Sequence, residues 1–234
     1  RKALKHSECE IRKATETVRQ TNEMKNRFLS KMSYNIRIPL NNVVGFSQLI
    51  ACESNIDKEA RQEYTNIIHQ SSEKLMKLVN DVLDLSRLEA QMMKFQVQDY
   101  DVIELCKEVC YMARVQNEQT GINVDFSTKI DSPIIIHTDT RRLTQALLSA
   151  LVYPQEHRQE RYIRFILSRE KDVLHFQISN SPLADPAFVS QETIIRHDIN
   201  LLLLQHFGGD YFVNQETPEN PEIVFIYPIS SESK

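Results

Sequence analysis

Glycine is the residue that this sequence lacks most. Only four glycines occur in 234 residues, at positions 45, 121, 208 and 209, where an average usage of ~7% would give about sixteen. Loops that hold phosphate groups through backbone N–H groups need glycine for close approach and for positive φ. No GxGxxG or GxxxxGK pattern can be assembled from these four positions. The sequence therefore lacks the glycine-rich loops that nucleotide-binding proteins commonly use.

Three further absences narrow the function classes. No run of ~18 apolar residues is present, so no segment is predicted to span a bilayer. The net charge is only -4, with basic residues interspersed among acidic ones, so no nucleic-acid partner is expected. The four cysteines form no CxxC pair and the histidines have no partner at ligand spacing. We therefore predict no metal site and a reducing compartment.

The first 94 residues are predicted to be helical, and the chain is expected to be part of a longer protein. The chain begins at Arg1 without a methionine or signal peptide, so we expect it to be an excised fragment. Residues 1–52 are predicted to form one helix, which Pro39 should bend, and an apolar stripe predicts a second helix over about 57–94. This antiparallel hairpin exposes too much apolar surface for a monomer, so it is predicted to dimerise into a four-helix bundle.

The pattern changes after residue 96. Helices are predicted over about 101–119, from a cap at Thr138 or Asp139 to 152, and over about 191–206. Strands are predicted over 122–127, 134–137, 162–169, 173–179, 210–214 and 223–227, with the third and fourth forming a hairpin. The expected fold class is α+β, in which an α/β sandwich with helices on one face of a mixed sheet follows the hairpin. We expect three parts: a helical signalling linker at 1–27, the hairpin at 28–95 and the sandwich at 96–234.

Two stretches in the helical part carry a family resemblance. Residues 28–40 read F-L-S-K-M-S-Y-N-I-R-I-P-L, and residues 78–90 read L-V-N-D-V-L-D-L-S-R-L-E-A. They resemble the dimerisation and phosphoacceptor domain of sensor histidine kinases of two-component systems, whose motif is F-L-x-x-M-S-H-E-I-R-T-P-L. The resemblance is specific over residues 24–95. A weaker, colinear resemblance to the ATP-binding domain of the same family rests on T-D-T-R-R-L-T-Q at residues 138–145.

The acceptor motif departs from the family at its reactive positions. Tyr34 stands where the resemblance implies the phosphoacceptor histidine, and Asn35 stands where it implies the acid that acts as base. A phenol without a base beside it is a poor nucleophile at neutral pH, and an amide cannot take a proton. Ile38 replaces the Thr or Asn that orients water in the family's phosphatase reaction. Tyr34 remains open to two interpretations, an alternative acceptor modified in trans or an ordinary helix tyrosine, and we favour the second.

The nucleotide site departs from the family in the same way. Aligned from residue 142, a serine and a tyrosine occupy its two asparagine positions, the second of which holds Mg²⁺, and a glutamate occupies its basic position. The D-x-G-x-G loop that reads adenine becomes N-S-P-L-A at 180–184, and the G-x-G-L-G loop becomes roughly H-D-I-N-L at 197–201. ATP and Mg²⁺ binding are therefore expected to be lost. The degenerate positions are Ser149, Tyr153, Glu156, Asn180, Pro182 and Ala184.

The resemblance implies a signalling protein that works by binding. We expect a member of the sensor histidine kinase family that is catalytically inactive and forms homodimers, with an intact sensor kinase or a response regulator as further partner. Cytoplasmic location is expected, and the helix at 1–27 resembles the segment that links the acceptor domain to a sensor or membrane anchor. The alternative is an enzyme with residual phosphotransfer, using Tyr34 or a partner's ATP-binding domain. The predicted interface residues are Phe28, Met32, Ile36, Leu40, Ile68, Leu75, Leu78 and Val82.

Overall fold

A computed structural model describes residues 35–53, 56–153, 162–185, 190–214 and 221–229. Contacts divide the chain into two units, one up to Asn80 and one from Asp81 onward. The predicted helical hairpin followed by an α/β sandwich is confirmed. Among the described residues, no helix is long and apolar enough to cross a membrane.

The described part of the first unit consists of one helix and the larger part of a second, which continues past Asn80 into the second unit. Residues 35–52 are helical (α1), with no interruption at Pro39, and α2 (Lys58–Glu89) follows after Asp57, whose side chain accepts the N–H of Ala60 at 2.7 Å. The ring centroids of Phe46 and Tyr64 lie 5.2 Å apart, which joins the two helices through their apolar faces. The predicted end of α2 near residue 94 is wrong, because the helix ends at Glu89.

A left-handed residue ends α2. Gln91 has a φ of 55°, and its N–H donates to the carbonyl of Leu88 while that of Met92 donates to the carbonyl of Arg87. This pair of bonds is the Schellman motif, in which the left-handed position is usually glycine. The chain therefore leaves the helix by geometry that the residue type does not signal.

The second unit alternates strands and helices. The elements are β1 (Gln98–Asp101), α3 (Val102–Asn117), β2 (Asn123–Thr128), β3 (Ile135–Thr138), α4 (Thr140–Leu151), β4 (Tyr162–Glu170), β5 (Val173–Ser179), α5 (Gln191–His206), β6 (Asp210–Asn214) and β7 (Glu222–Pro228). Five strands form a mixed sheet in the order β2-β4-β5-β7-β6, in which β2 pairs parallel to β4 and the other pairs are antiparallel. β3 is not part of this sheet, since it pairs with the short strand β1, which the sequence did not predict.

Alternation along the strands places one apolar face of the sheet against the helices. The core contains Phe165, Phe176 and Phe225 from three neighbouring strands, all fully buried. α3 contributes Cys106 and Cys110, whose thiols burial keeps protonated by raising their pKa. The predicted packing of helices on one face is confirmed by this shared core.

A close approach at the end of α5 requires glycine. Gly208 has a φ of 77°, and a Cβ added to Gly209 would overlap the carbonyl oxygen of Ile226 in β7. The N–H of Gly209 donates to the carbonyl of Leu204 at 2.8 Å. Two of the four glycines therefore serve to turn the chain from α5 into β6.

Candidate functional site

The site predicted to have lost its nucleotide lies where α4 ends. Asp139 begins this helix as its N-cap, because its side chain accepts the N–H of Arg142 at 3.0 Å. The predicted cap at Thr138 or Asp139 is thus resolved in favour of Asp139. α4 then presents Leu143, Leu147 and Leu151 to the core, which fixes the direction in which its last residues enter the site.

Tyr153 fills the space directly after α4. Its side chain is only 3% exposed, and its hydroxyl donates to the carbonyl of Asn180 at 2.8 Å. Its backbone N–H donates to Oδ1 of Asn117, whose Nδ2 donates to the carbonyl of Leu151. The tyrosine is therefore held at its ring, at its hydroxyl and at its backbone.

Ser149 turns toward the protein rather than toward a cleft. Its hydroxyl donates to the carbonyl of Ala146 at 2.6 Å and accepts from Nδ2 of Asn200 at 3.2 Å. Asn200 is buried on α5, so this contact links α4 to α5. Both side chains are engaged in holding the two helices together.

The loop at 180–184 is bonded to its surroundings on both sides. Asn180, in the left-handed region with a φ of 60°, donates from Nδ2 to the carbonyl of Tyr162 at 2.8 Å. The hydroxyl of Ser181 donates to the carbonyl of Ala150 at 2.7 Å and accepts the N–H of Leu183. Pro182 is buried and Ala184 half-buried, so this loop packs as part of the fold.

His197 closes the site from α5. Its Nε2 lies 3.0 Å from the carbonyl of Leu183 and its Nδ1 lies 2.6 Å from the hydroxyl of Tyr211. Because a carbonyl only accepts, we assign the proton to Nε2, and the Tyr211 hydroxyl then donates to Nδ1. Burial lowers the pKa of His197 and raises the pKa of Tyr211. The neutral imidazole is thus the form that this arrangement stabilises.

The predicted nucleotide-site residues fall into two linked groups. Tyr153 meets Asn180 directly, and Ser149 meets Asn200. Glu156 lies outside the described residues. By resemblance, residues 197–201 replace a glycine-rich loop. No residue pattern indicated the hydrogen bonds that His197 and Asn200 make there.

The acceptor positions on α1 are only partly described. Tyr34, Phe28 and Met32 lie outside the described residues. Asn35 is half-buried and Ile38 is 47% exposed. Neither position carries a carboxylate, since one side chain is an amide and the other a hydrocarbon. Of the described interface residues, Leu78 is buried, Leu40 is exposed, and the half-buried ones are Ile36, Ile68, Leu75 and Val82.

Two ion pairs in the second unit were not predicted. Both carboxylate oxygens of Asp81 accept from Nη2 of Arg196, at 3.1 and 2.8 Å, and Asp84 pairs with Nη1 of Arg142. A cavity of about 20 Å³ lies beside them, which is room for little more than one water molecule. Within the described ranges, no group of three or more His, Cys, Asp or Glu side chains could hold a metal ion.

A family model and curated relatives match the helical part and beyond. The His Kinase A (phospho-acceptor) domain model matches residues 24–91. Hybrid signal transduction histidine kinase A of Dictyostelium discoideum is 34% identical over 137 residues, 58% of this chain and 6% of that protein. Circadian input-output histidine kinase CikA of Synechococcus elongatus is 30% identical over 171 residues, 70% of this chain and 22% of that protein. The chain thus spans less than a quarter of the length of either relative.

Solved structures share the fold. Histidine kinase ThkA in complex with response regulator protein TrrA superposes with a TM-score of 0.68 at 16% identity, covering 92% of this chain and 65% of that one. Acinetobacter baumannii histidine kinase AdeS superposes with a TM-score of 0.60 at 14% identity, covering 85% and 98%. At these identities the likeness concerns the fold alone.

Proposed function

Because this chain belongs to the sensor histidine kinase family, we propose that it is a catalytically inactive member that signals by dimerising and by binding a partner. We place its action in the cytoplasm, because the acceptor and ATP-binding domains that it resembles are cytoplasmic parts of sensor kinases. Phosphotransfer needs an acceptor, a base and a bound Mg²⁺–ATP. The chain offers poor substitutes for each of them, while the packing surfaces of the fold are kept.

The observation that carries this proposal is the burial of Tyr153. By resemblance, this position belongs to the asparagine that holds Mg²⁺, and here a phenol ring occupies it with its hydroxyl bonded to Asn180. The polar side chains nearby already have partners. Ser149 bonds to the carbonyl of Ala146 and to Asn200, and His197 bonds to the carbonyl of Leu183. An entering nucleotide would have to break these bonds before it found a ligand for its metal or phosphates.

The acceptor positions on α1 support the same conclusion. An amide at Asn35 cannot take a proton from an attacking group, and the exposed hydrocarbon of Ile38 cannot orient water. The chain retains the apolar residues around these positions. This combination favours a helix kept for its contacts.

Exposed apolar side chains on the hairpin support dimerisation. Ile38, Leu40 and Val44 on α1 are each between 45% and 47% exposed, and Met76 on α2 is 61% exposed. Burying such side chains contributes about 25 cal/mol per Å² of apolar surface. A second copy would cover them by forming a four-helix bundle. A receiver-domain protein is the further partner that we propose, because the fold matches a kinase that was solved with its response regulator.

Nucleotide titration tests the loss of ATP binding. A site with micromolar Kd would stabilise the chain by about 2.7 kcal/mol at a hundredfold excess of Mg²⁺–ATP over Kd. That corresponds to a melting shift of roughly 5–11 °C for a chain of this size. We expect no shift, and an intact sensor kinase titrated in parallel is the positive control. A clear shift would contradict the proposal and favour the residual phosphotransfer enzyme.

Restoring the acceptor tests whether the docking surface persists. The double variant Tyr34→His/Asn35→Glu is mixed with an active kinase domain and ATP, and we expect it to become phosphorylated. The control is Tyr34→Phe/Asn35→Glu, which has the acid but no acceptor. Absence of phosphate on the restored chain would contradict a retained docking surface, and phosphate on the wild-type Tyr34 would favour the residual enzyme.

Sedimentation tests the dimer. We expect the wild type to sediment as a dimer and Leu40→Glu to shift toward monomer, because a charge would enter the apolar contact. Asn41→Glu, which adds the same charge at the neighbouring exposed position, should remain a dimer. A monomeric wild type at all concentrations would exclude this part of the proposal.

A further inference from the structure

Strand β7 is apolar on both of its faces. Ile223, Phe225 and Tyr227 belong to the core that the sheet shares with the helices. The alternate positions, which face the other way, hold Val224 and Ile226. A strand with one solvated face normally alternates apolar and polar residues, whereas an unbroken apolar run is typical of a strand covered on both faces. The face of the sheet turned away from the helices, here called the outer face, is therefore a candidate contact surface.

An apolar row crosses the outer face. Ile166, Gln177 and Val224 are neighbours in this row on β4, β5 and β7. Phe212 on the edge strand β6 continues the row beside Val224 and is 42% exposed. Association that covers this row is favourable, because it removes apolar surface from water.

A charged row lies two residues farther along the same strands. Arg164 on β4, Ser179 on β5 and Glu222 on β7 are neighbours in it. The hydroxyl of Ser179 donates to Oε1 of Glu222 at 2.7 Å, which holds the carboxylate in place, and Arg164 is exposed. The two opposite charges thus lie equally far from β5, one strand to either side of it.

We propose that the outer face binds the outer face of a second copy of this chain, with a two-fold axis running along β5. Such an axis sets β4 of each copy against β7 of the other and leaves the position along the strands unchanged. Arg164 then faces Glu222 of the second copy, and Ile166 faces its Val224, each contact occurring twice. A partner of one charge sign would match only one of the two charges, whereas a second copy matches both.

The size of the outer face indicates a weak contact. Five strands about 4.8 Å apart, with about seven residues each at ~3.3 Å per residue, cover roughly 24 by 23 Å. This is about 550 Å² per copy, or about 1,100 Å² in total, which is the size of transient contacts. The contact goes beyond the proposed function, because the hairpin dimer uses a different surface. With both contacts made, dimers would join into tetramers or into open chains.

Sedimentation of the Leu40→Glu chain tests the contact apart from the hairpin dimer. We expect this chain to dimerise as its concentration is raised, and Arg164→Glu in the same background to weaken the association at least tenfold. Arg141→Glu is the matched control, because it reverses the same charge at an exposed position on α4; it should change the affinity by less than twofold. A Leu40→Glu chain that stays monomeric at concentrations far above micromolar would exclude the outer-face contact and leave the hairpin dimer untouched.

Mixing two variants tests the predicted pairing of charges. Arg164→Glu and Glu222→Arg should each associate weakly alone, because two pairs of like charges face each other. An equimolar mixture should recover the affinity, since the new carboxylate of one chain faces the new guanidinium of the other and the unchanged pair remains. A mixture no stronger than its components would overturn the proposal.

Crosslinking tests the axis on a chain with both charges unchanged. Gln177 lies on the proposed axis and would face its own equivalent, so Gln177→Cys should be joined between copies by a bismaleimide spanning about 10 Å, the spacing of packed sheets. Cys9 and Cys52 are replaced by serine in this experiment, whereas Cys106 and Cys110 are buried. Tyr111→Cys, at a 69% exposed position on α3, is the control and should give at least tenfold less product. Equal yields from the two positions would refute the proposed axis.

Discussion

Replacing Tyr153 separates the two ways in which this side chain fills the space after α4. Tyr153→Phe keeps the buried ring and removes the hydroxyl that donates to the carbonyl of Asn180. The net loss of one such bond is about 1 kcal/mol. Tyr153→Ala removes the ring as well and leaves a cavity, for which large aromatic truncations cost about 3–5 kcal/mol.

These free energies translate into separable melting shifts. For a chain of this size, 1 kcal/mol corresponds to roughly 2–4 °C. Tyr153→Phe should therefore lower the melting temperature by about 2–4 °C and Tyr153→Ala by roughly 6–20 °C. The chain has no tryptophan, so far-UV circular dichroism is the suitable signal, with exchange of β4 and β5 amides identifying the unit that melts.

A matched pair on α3 provides the control. Tyr111 is 69% exposed, so Tyr111→Phe and Tyr111→Ala should each stay within about 0.5 kcal/mol of the wild type. Mg²⁺–ATP should not raise the melting temperature of Tyr153→Ala, because the glycine loops are still absent. The reasoning is refuted if Tyr153→Ala is no less stable than Tyr111→Ala, or if it gains a nucleotide-dependent shift.

Three further predictions rest on single positions. Gln91→Gly should raise the free energy of unfolding by about 0.5–1 kcal/mol, because glycine adopts the left-handed φ of 55° without a Cβ penalty; a denaturation midpoint that falls would contradict this. Gly209→Ala should lower it by about 3 kcal/mol or more, because the new Cβ meets the carbonyl of Ile226, and unchanged β6–β7 exchange would argue against it. Burial lowers the pKa of His197 in the folded state. At a pH below the ordinary histidine pKa of about 6.5, the unfolded chain therefore binds the proton more readily than the folded chain, and stability falls as the pH falls. His197→Gln, which can still bond Leu183, should flatten this part of the stability–pH curve, and an equally steep curve would exclude the assignment.

Local signals predicted α5 and the β4–β5 hairpin closely. Ser190 caps α5 by accepting the N–H of Thr193 at 3.2 Å, and Gly208 follows its last turn. The residue types at the two ends therefore indicate where the helix begins and ends. The hairpin needed only alternation and a polar turn. These elements are determined by neighbours in the chain, which is why a single sequence sufficed.

Elements and contacts that no local residue pattern indicates were missed or misplaced. β1 has four residues and exists because it pairs with β3, so its own pattern is too short to predict it. The end of α2 depends on Gln91 in a conformation that usually indicates glycine. The positions of Tyr153 and Asn180 were predicted by resemblance, whereas the bond between them joins residues 27 apart. The pair of Asp81 with Arg196 joins residues 115 apart, beyond the reach of any local pattern.

The buried cysteines in the core of the sandwich determine which thiols are oxidised or alkylated first and provide a measure of unfolding. A thiol reacts as thiolate, and the raised pKa values of Cys106 and Cys110 keep both buried sulfurs in the unreactive form. Cys52, in contrast, is exposed on α1. Among the described cysteines, oxidants and alkylating reagents therefore reach the hairpin first. Modification of the α3 thiols requires that the sandwich unfolds, so the extent of their modification reports how much of the sandwich has unfolded.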